Sequence, residues 1–180
     1  MMLSACSAYK AMQINYSDIS QKRQIDANIE TIIVQPSEVN KGGLVKSEKD
    51  TDFKDEDNRI LHIKKGKGYV IWNSVLEDAI AKSGVFNPNS KNILALRVNA
   101  LDIRYPTSGG NFPTDITALY ELVDTANSKV VFSKTITSHA ESPAFSYFAG
   151  TYRWKDSVQR TINENVKNFI EELLKSKSLS

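Results

Sequence analysis

One cysteine and two histidines in 180 residues leave little room for several kinds of chemistry. A lone Cys6 excludes an internal disulfide, and with only His62 and His139 beside it the usual Cys/His structural zinc site is excluded too. Charge of one sign is also scarce: 23 Lys+Arg stand against 21 Asp+Glu, a net +2. A nucleic-acid binder working through a wide basic face is therefore not expected. No apolar run approaches the roughly 20 residues that span a bilayer as a helix. No Gly-x-Ser-x-Gly elbow is present, so the serines lack the turn that activates a nucleophile. The hydrophobic share of 41% still suffices for a globular core, which disorder would not provide.

The first residues carry the sharpest signal. Leu3-Ser4-Ala5-Cys6 has the form of a bacterial lipobox, an apolar residue and two small ones ahead of a cysteine. Small side chains fit the narrow cleft of a signal peptidase, and acyl chains on Cys6 make a firm anchor at about 0.8 kcal/mol per buried CH₂. Only Met1 and Met2 precede the motif, so this reading expects a basic and apolar signal upstream. The competing explanation is a free buried cysteine, but no amphipathic period surrounds Cys6. Ser7 after the cysteine, rather than an aspartate, matches the outer-membrane sorting pattern of enteric bacteria. The expected organisation is a lipobox at 1–6, a polar tether over 7–28 and one domain over 29–175 with a long charged loop at 37–67.

Within the domain, 29–35 is β-branched and closed by Pro36. Ile71, Trp72, Val75, Leu76, Ala79 and Ile80 form a helical stripe that Gly84 is placed to terminate. Three alternating segments follow at 93–105, 115–123 and 129–137, a meander. In the first of these the apolar phase flips after Ala100, which predicts a bulge. A last helix is expected over 155–175, with Val158, Ile162, Val166, Phe169, Ile170, Leu173 and Leu174 inward. Arg160, Asn163, Glu164, Lys167, Glu171 and Glu172 are expected in solvent. Two striped helices need a sheet face to cover. The expected fold is α+β, a two-layer sandwich whose largely antiparallel sheet of about four or five strands carries both helices on one face.

Candidate sites are few. Asp50 to Asp57 lacks the oxygen ligand, glycine and glutamate that an EF-hand places at its later positions, so a solvated loop is expected and no metal. Lys64-Lys65-Gly66-Lys67-Gly68 lacks phosphate-loop spacing. Asp102, Asp115 and Asp124 offer carboxylates, but strand ends and turns account for them. His139 stands near Glu141 without a nucleophile to activate. The chain is read as no enzyme, with no cofactor. What stands out is aromatic: Phe145, Tyr147, Phe148, Tyr152 and Trp154 within ten residues, around Gly150. Aromatic anchors are enriched in protein interfaces. Tyr147, Phe148, Tyr152 and Trp154, with Phe112 from the loop at 107–112, form the expected partner surface, unless they simply close the core.

Three stretches carry a family resemblance. They are Trp72-Asn73-Ser74-Val75-Leu76-Glu77-Asp78-Ala79-Ile80 followed by Ser83-Gly84-Val85-Phe86, then Tyr120-Glu121-Leu122-Val123-Asp124 with Lys129-Val130-Val131-Phe132, and the segment from Arg153 to Leu173. Together they resemble small Gram-negative lipoproteins of poorly defined role. The layout is also similar to that of curli-secretion lipoproteins, penicillin-binding-protein activator lipoproteins and the amino-terminal domain of the Tol translocation protein. The resemblance implies an α+β fold and a non-enzymatic adaptor facing the periplasm, held to the outer membrane by a lipid and bound to a cell-envelope protein. A lipid or small-ligand carrier using the cleft between helices and sheet is the alternative.

Overall fold

The computed structural model describes residues 24–36, 67–105, 111–145 and 150–176. Cys6 and the charged stretch 37–66 lie outside them. Six elements run in the order β1 (Asn28–Pro36), α1 (Lys67–Ser83), β2 (Ile93–Arg104), β3 (Phe112–Asp124), β4 (Val130–Ser142) and α2 (Gly150–Lys175). The four strands form one sheet in sequence order. The fold is α+β, with both helices on one face of an open sheet.

The sheet is mixed. β2, β3 and β4 make the expected antiparallel meander, while β1 pairs with β2 in parallel. A parallel pair needs a crossover, and α1 supplies it. The bulge forecast from the phase flip is present: register shifts between Ala100 and Asp102, leaving Leu101 as the extra residue. Ile103 thereby keeps to the core side opposite Ile116, while Asp102 and Arg104 turn outward.

The core lies between sheet and helices. Leu96, Val98, Tyr120 and Leu122 from the central strands meet Trp72, Leu76 and Ala79 of α1 and Val166, Phe169 and Ile170 of α2. Tyr120 stacks on Phe169 at 4.3 Å between centroids, with the edge of Phe132 against the same ring at 6.1 Å. Lys134, at the sheet's rim, pairs with Glu172 of α2 at 2.9 Å. Gly84 has φ 59°, the left-handed conformation that ends α1, and the Ser83 hydroxyl donates to the Ile80 carbonyl in the same cap.

Three expectations need correction. The polar tether was expected to reach residue 28, yet Ile25 and Ala27 are buried. Ile25 bridges Phe86 in parallel and its N–H donates to the Val85 carbonyl at 2.7 Å. An isoleucine and an alanine among polar neighbours gave too short a pattern to reveal a docking segment. The second helix starts at Gly150, five residues before the expected Lys155. Asn163 is buried rather than solvated, its carbonyl oxygen accepting from Gln159 at 3.2 Å.

Candidate functional site

Strand direction divides the domain into two ends. At one end β1 begins, the β3–β4 turn closes and α1 and α2 finish; the chain comes into the fold there, through Gln24 and Ile25. The other end, about 40 Å away along strands of this length, gathers the end of β2, the start of β3, the end of β4 and the start of α2. The aromatic residues singled out from the sequence belong to this second end.

Its framework is built from short polar ties. The Asn111 amide donates to Glu141 Oε1 at 2.8 Å, and its carbonyl oxygen accepts from the Ala144 N–H at 3.1 Å. Arg153, in the first turn of α2, donates to the Ala144 carbonyl and lies over the Phe112 ring at 5.3 Å. Trp154 leans on Tyr105 at 5.5 Å between centroids, tilted by 59°. Above these, Tyr152 is 58% exposed with the Lys155 ammonium 5.9 Å from its ring, and Phe145 is fully exposed.

The expected partner surface is thus partly assembled and partly corrected. Tyr152 stands outward and Trp154 is half-buried against the core. Phe112 is buried, because it starts β3 on the core-facing side and Arg153 covers it. It is a wall of the site and offers no contact of its own. Tyr147 and Phe148 lie outside the described residues, as does the proposed attachment site Cys6. Phe145 adds the most exposed large apolar side chain among the described residues.

The carboxylates considered from the sequence do not meet. Asp102 pairs with Arg104 at 2.6 Å, and Asp115 meets His139 Nδ1 at 2.8 Å on the open sheet face. Asp124 holds its own turn, accepting from the Ala126 N–H at 2.8 Å and the Asn127 amide at 2.7 Å. Among the described residues no group of three or more His, Cys, Asp or Glu is placed to hold a metal.

Sequence reasoning missed a polar chain that runs through the core. Trp72 Nε1 donates to the Tyr120 hydroxyl at 3.2 Å, and that hydroxyl donates to Asn165 Oδ1 at 2.7 Å. The Asn165 amide in turn donates to the carbonyls of Ile116 and Ile136 and to Ser138 Oγ, at 3.3, 3.2 and 3.2 Å. Further along α2, the Ser157 hydroxyl donates to Thr114 Oγ1 at 2.7 Å, and Thr161 Oγ1 donates to the Ser157 carbonyl at 2.8 Å. Burial pushes the Tyr120 hydroxyl far above its ordinary range, with the Trp72 bond pulling weakly the other way. The chain fastens α1 and α2 to the sheet with fixed geometry, a structural task. Its signal was the spacing of Ser157, Thr161 and Asn165, four apart and running beside the apolar stripe.

No protein-family model matches the sequence, and no curated protein matches it. Among solved structures the chain is similar to a candidate lipoprotein of Caulobacter crescentus, with TM-score 0.47 and 17% identity over 61% of this chain and 82% of that one. It is similar to a minor lipoprotein of Acinetobacter baumannii, with TM-score 0.45 and 14% identity over 58% and 82%. A third likeness is to a Xanthomonas campestris protein of the DUF330 family, with TM-score 0.42 and 20% identity over 58% of this chain and 59% of that one. Lipoproteins of Gram-negative bacteria therefore stand among its structural neighbours.

Proposed function

We propose that this protein is a lipoprotein, anchored through Cys6 at the periplasmic face of the outer membrane, whose domain holds a cell-envelope protein partner without catalysing a reaction. The observation that carries the reading is the exposure of Phe145 and Tyr152 at the end of the domain opposite the one where the chain comes in. Exposed aromatics on a rigid framework are the usual anchors of an interface. A lipid at Cys6 would hold the other end near the membrane and raise the local concentration of the site for neighbours in the envelope. The resemblance to curli-secretion and penicillin-binding-protein activator lipoproteins read from the sequence implies an assembly factor. In a carrier the ligand would lie between helices and sheet. That seam is filled by Trp72, Tyr120 and Phe169 and crossed by the polar chain, which favours the adaptor.

The test expresses the gene from its native locus, comparing wild type with Cys6→Ala. Wild type is expected in the membrane fraction with a diacylglyceryl mass increment, and the variant without it. Cross-linked envelope proteins should be recovered with wild type and lost with Phe145→Ser combined with Tyr152→Ala, at unchanged thermal stability. An unmodified soluble wild type would overturn the anchor. Undiminished cross-linking by the double variant would overturn the surface.

A further inference from the structure

The two edges of the sheet are built differently. β4 is guarded in the way edge strands usually are. It exposes Lys134, His139 and Glu141 between exposed Ser133, Thr135 and Thr137, and Lys134 is tied to Glu172 of the helix above it. β1 carries a single charge, Glu30, at the shift in register between Ile29 and Thr31. From there Thr31-Ile32-Ile33-Val34 is β-branched throughout. Ile33 lies on the open face and is 44% exposed, while Ile32 and Val34, level with Leu96 and Val98 on the helix side, are only half-buried. The Gln35 amide turns inward and donates to Asn99 Oδ1 at 2.9 Å. A run apolar on both faces is the pattern of an interior strand, yet among the described residues β1 pairs with β2 alone. An apolar edge of this kind is a template for another strand.

We propose that the β1 edge is a homodimer interface, at which two copies of this chain pair antiparallel through Thr31 to Gln35 and join their sheets into one of eight strands. The strand is complementary to itself. A two-fold axis perpendicular to the sheet keeps matching faces together, so each residue must meet one of its own phase. Centred on Ile33, the pairing sets Ile33 against Ile33 of the second copy, Ile32 against Val34 and Thr31 against Gln35. Apolar meets apolar on both faces, and Glu30 falls opposite Pro36, so no charge meets its like. Pro36, without an N–H, and the register shift bound the ladder at its two ends. Strands lie about 4.8 Å apart and packed helices about 8–10 Å, so one helix covers two strands, and eight strands carry four helices at the spacing already present. The antiparallel join sets one aromatic end at each end of the pair. The chain from Cys6 to Gln24 reaches about 60 Å when extended, longer than the strands, so both copies have the length to share a membrane. The interface depends on neither the anchor nor the aromatic surface, and goes beyond both.

The full chain, kept reduced so that Cys6 forms no cross-link, is followed by sedimentation at rising concentration and should pass from the mass of one chain to that of two. Ile33→Lys and Ile33→Glu are exposed changes that should leave thermal unfolding close to wild type. Each alone should weaken the dimer about hundredfold, since apolar contact is lost and like charges meet at the axis. Mixed in equal amounts the two variants should pair again, opposite charges now facing each other. Val130→Lys, at a residue 42% exposed on the other edge strand, should leave the dimer as it is. Register is read by oxidation in a Cys6→Ser background: Ile33→Cys should cross-link into a dimer, and Thr31→Cys, which faces Gln35, should not. A chain that stays monomeric would overturn the proposal and leave the edge to a strand of another protein. A dimer indifferent to Ile33→Lys, or charge variants that fail to pair when mixed, would overturn it too. Cross-linking through Thr31→Cys and not Ile33→Cys would overturn the register centred on Ile33.

Discussion

Replacing Asn165 with alanine tests whether the polar chain holds the helices to the sheet. Asn165 is wholly buried, and its amide reaches β3 through Ile116 and β4 through Ile136 and Ser138, while its oxygen takes the Tyr120 proton. Truncation leaves that hydroxyl proton without its acceptor, at about 1–3 kcal/mol, and removes amide bonds each worth about 1 kcal/mol net. With the small void left behind, the total is about 4–6 kcal/mol. For a chain of this size the melting temperature should fall by about 15 °C. Tyr120→Phe strands the Trp72 N–H and Asn165 Oδ1 and should cost about 2–3 kcal/mol. Because the two changes break one shared bond, the double variant should be about 1–2 kcal/mol more stable than the sum of the single losses predicts. Urea unfolding followed by tryptophan fluorescence measures all three. Additivity within about 0.5 kcal/mol would refute the reasoning, since the buried bond would then contribute nothing of its own.

Two further outcomes follow from local geometry and titration. Gly84→Ala should destabilise by about 1–2 kcal/mol, because a Cβ there meets nothing within 4 Å and the penalty is the left-handed backbone alone; Gly84→Asn should lose less, and denaturant unfolding separates them. Above pH 10 stability should fall by about 1.4 kcal/mol per pH unit through Tyr120, which stays protonated when folded and ionises when unfolded, so the unfolded chain binds fewer protons. Below that pH the group contributes no pH dependence, and in Tyr120→Phe the alkaline slope should be smaller by one proton.

The parts of the fold carried by apolar period could be read from the sequence. Trp72, Leu76 and Ala79 are buried as their stripe requires, the meander alternates as expected, and the flip after Ala100 marked the bulge. Pattern failed where a polar residue is buried. Asn163 was assigned to solvent, since nothing in a side chain's identity tells whether water or a neighbour takes its hydrogen bonds. The parallel pairing of β1 was written in the element order, because a strand, a helix and a neighbouring strand imply a crossover, but the meander dominated the reading. For the candidate site, the aromatic cluster was visible, yet the burial of Phe112 and the exposure of Phe145 depend on where β3 starts and β4 ends, and boundaries are the least legible feature of a sequence.

The separation of the two ends has a mechanical consequence. A partner gripping the start of α2 while a membrane holds the chain ahead of Gln24 would pull along the strand axis. Load then runs from β1 into β2 as shear across their parallel ladder, which spans Asn28↔Ile93 to Pro36↔Ala100. Bonds loaded in shear share the force, whereas a ladder peeled from one end yields bond by bond. Loaded in that way, the domain would act as a tie, resisting tension between its two ends.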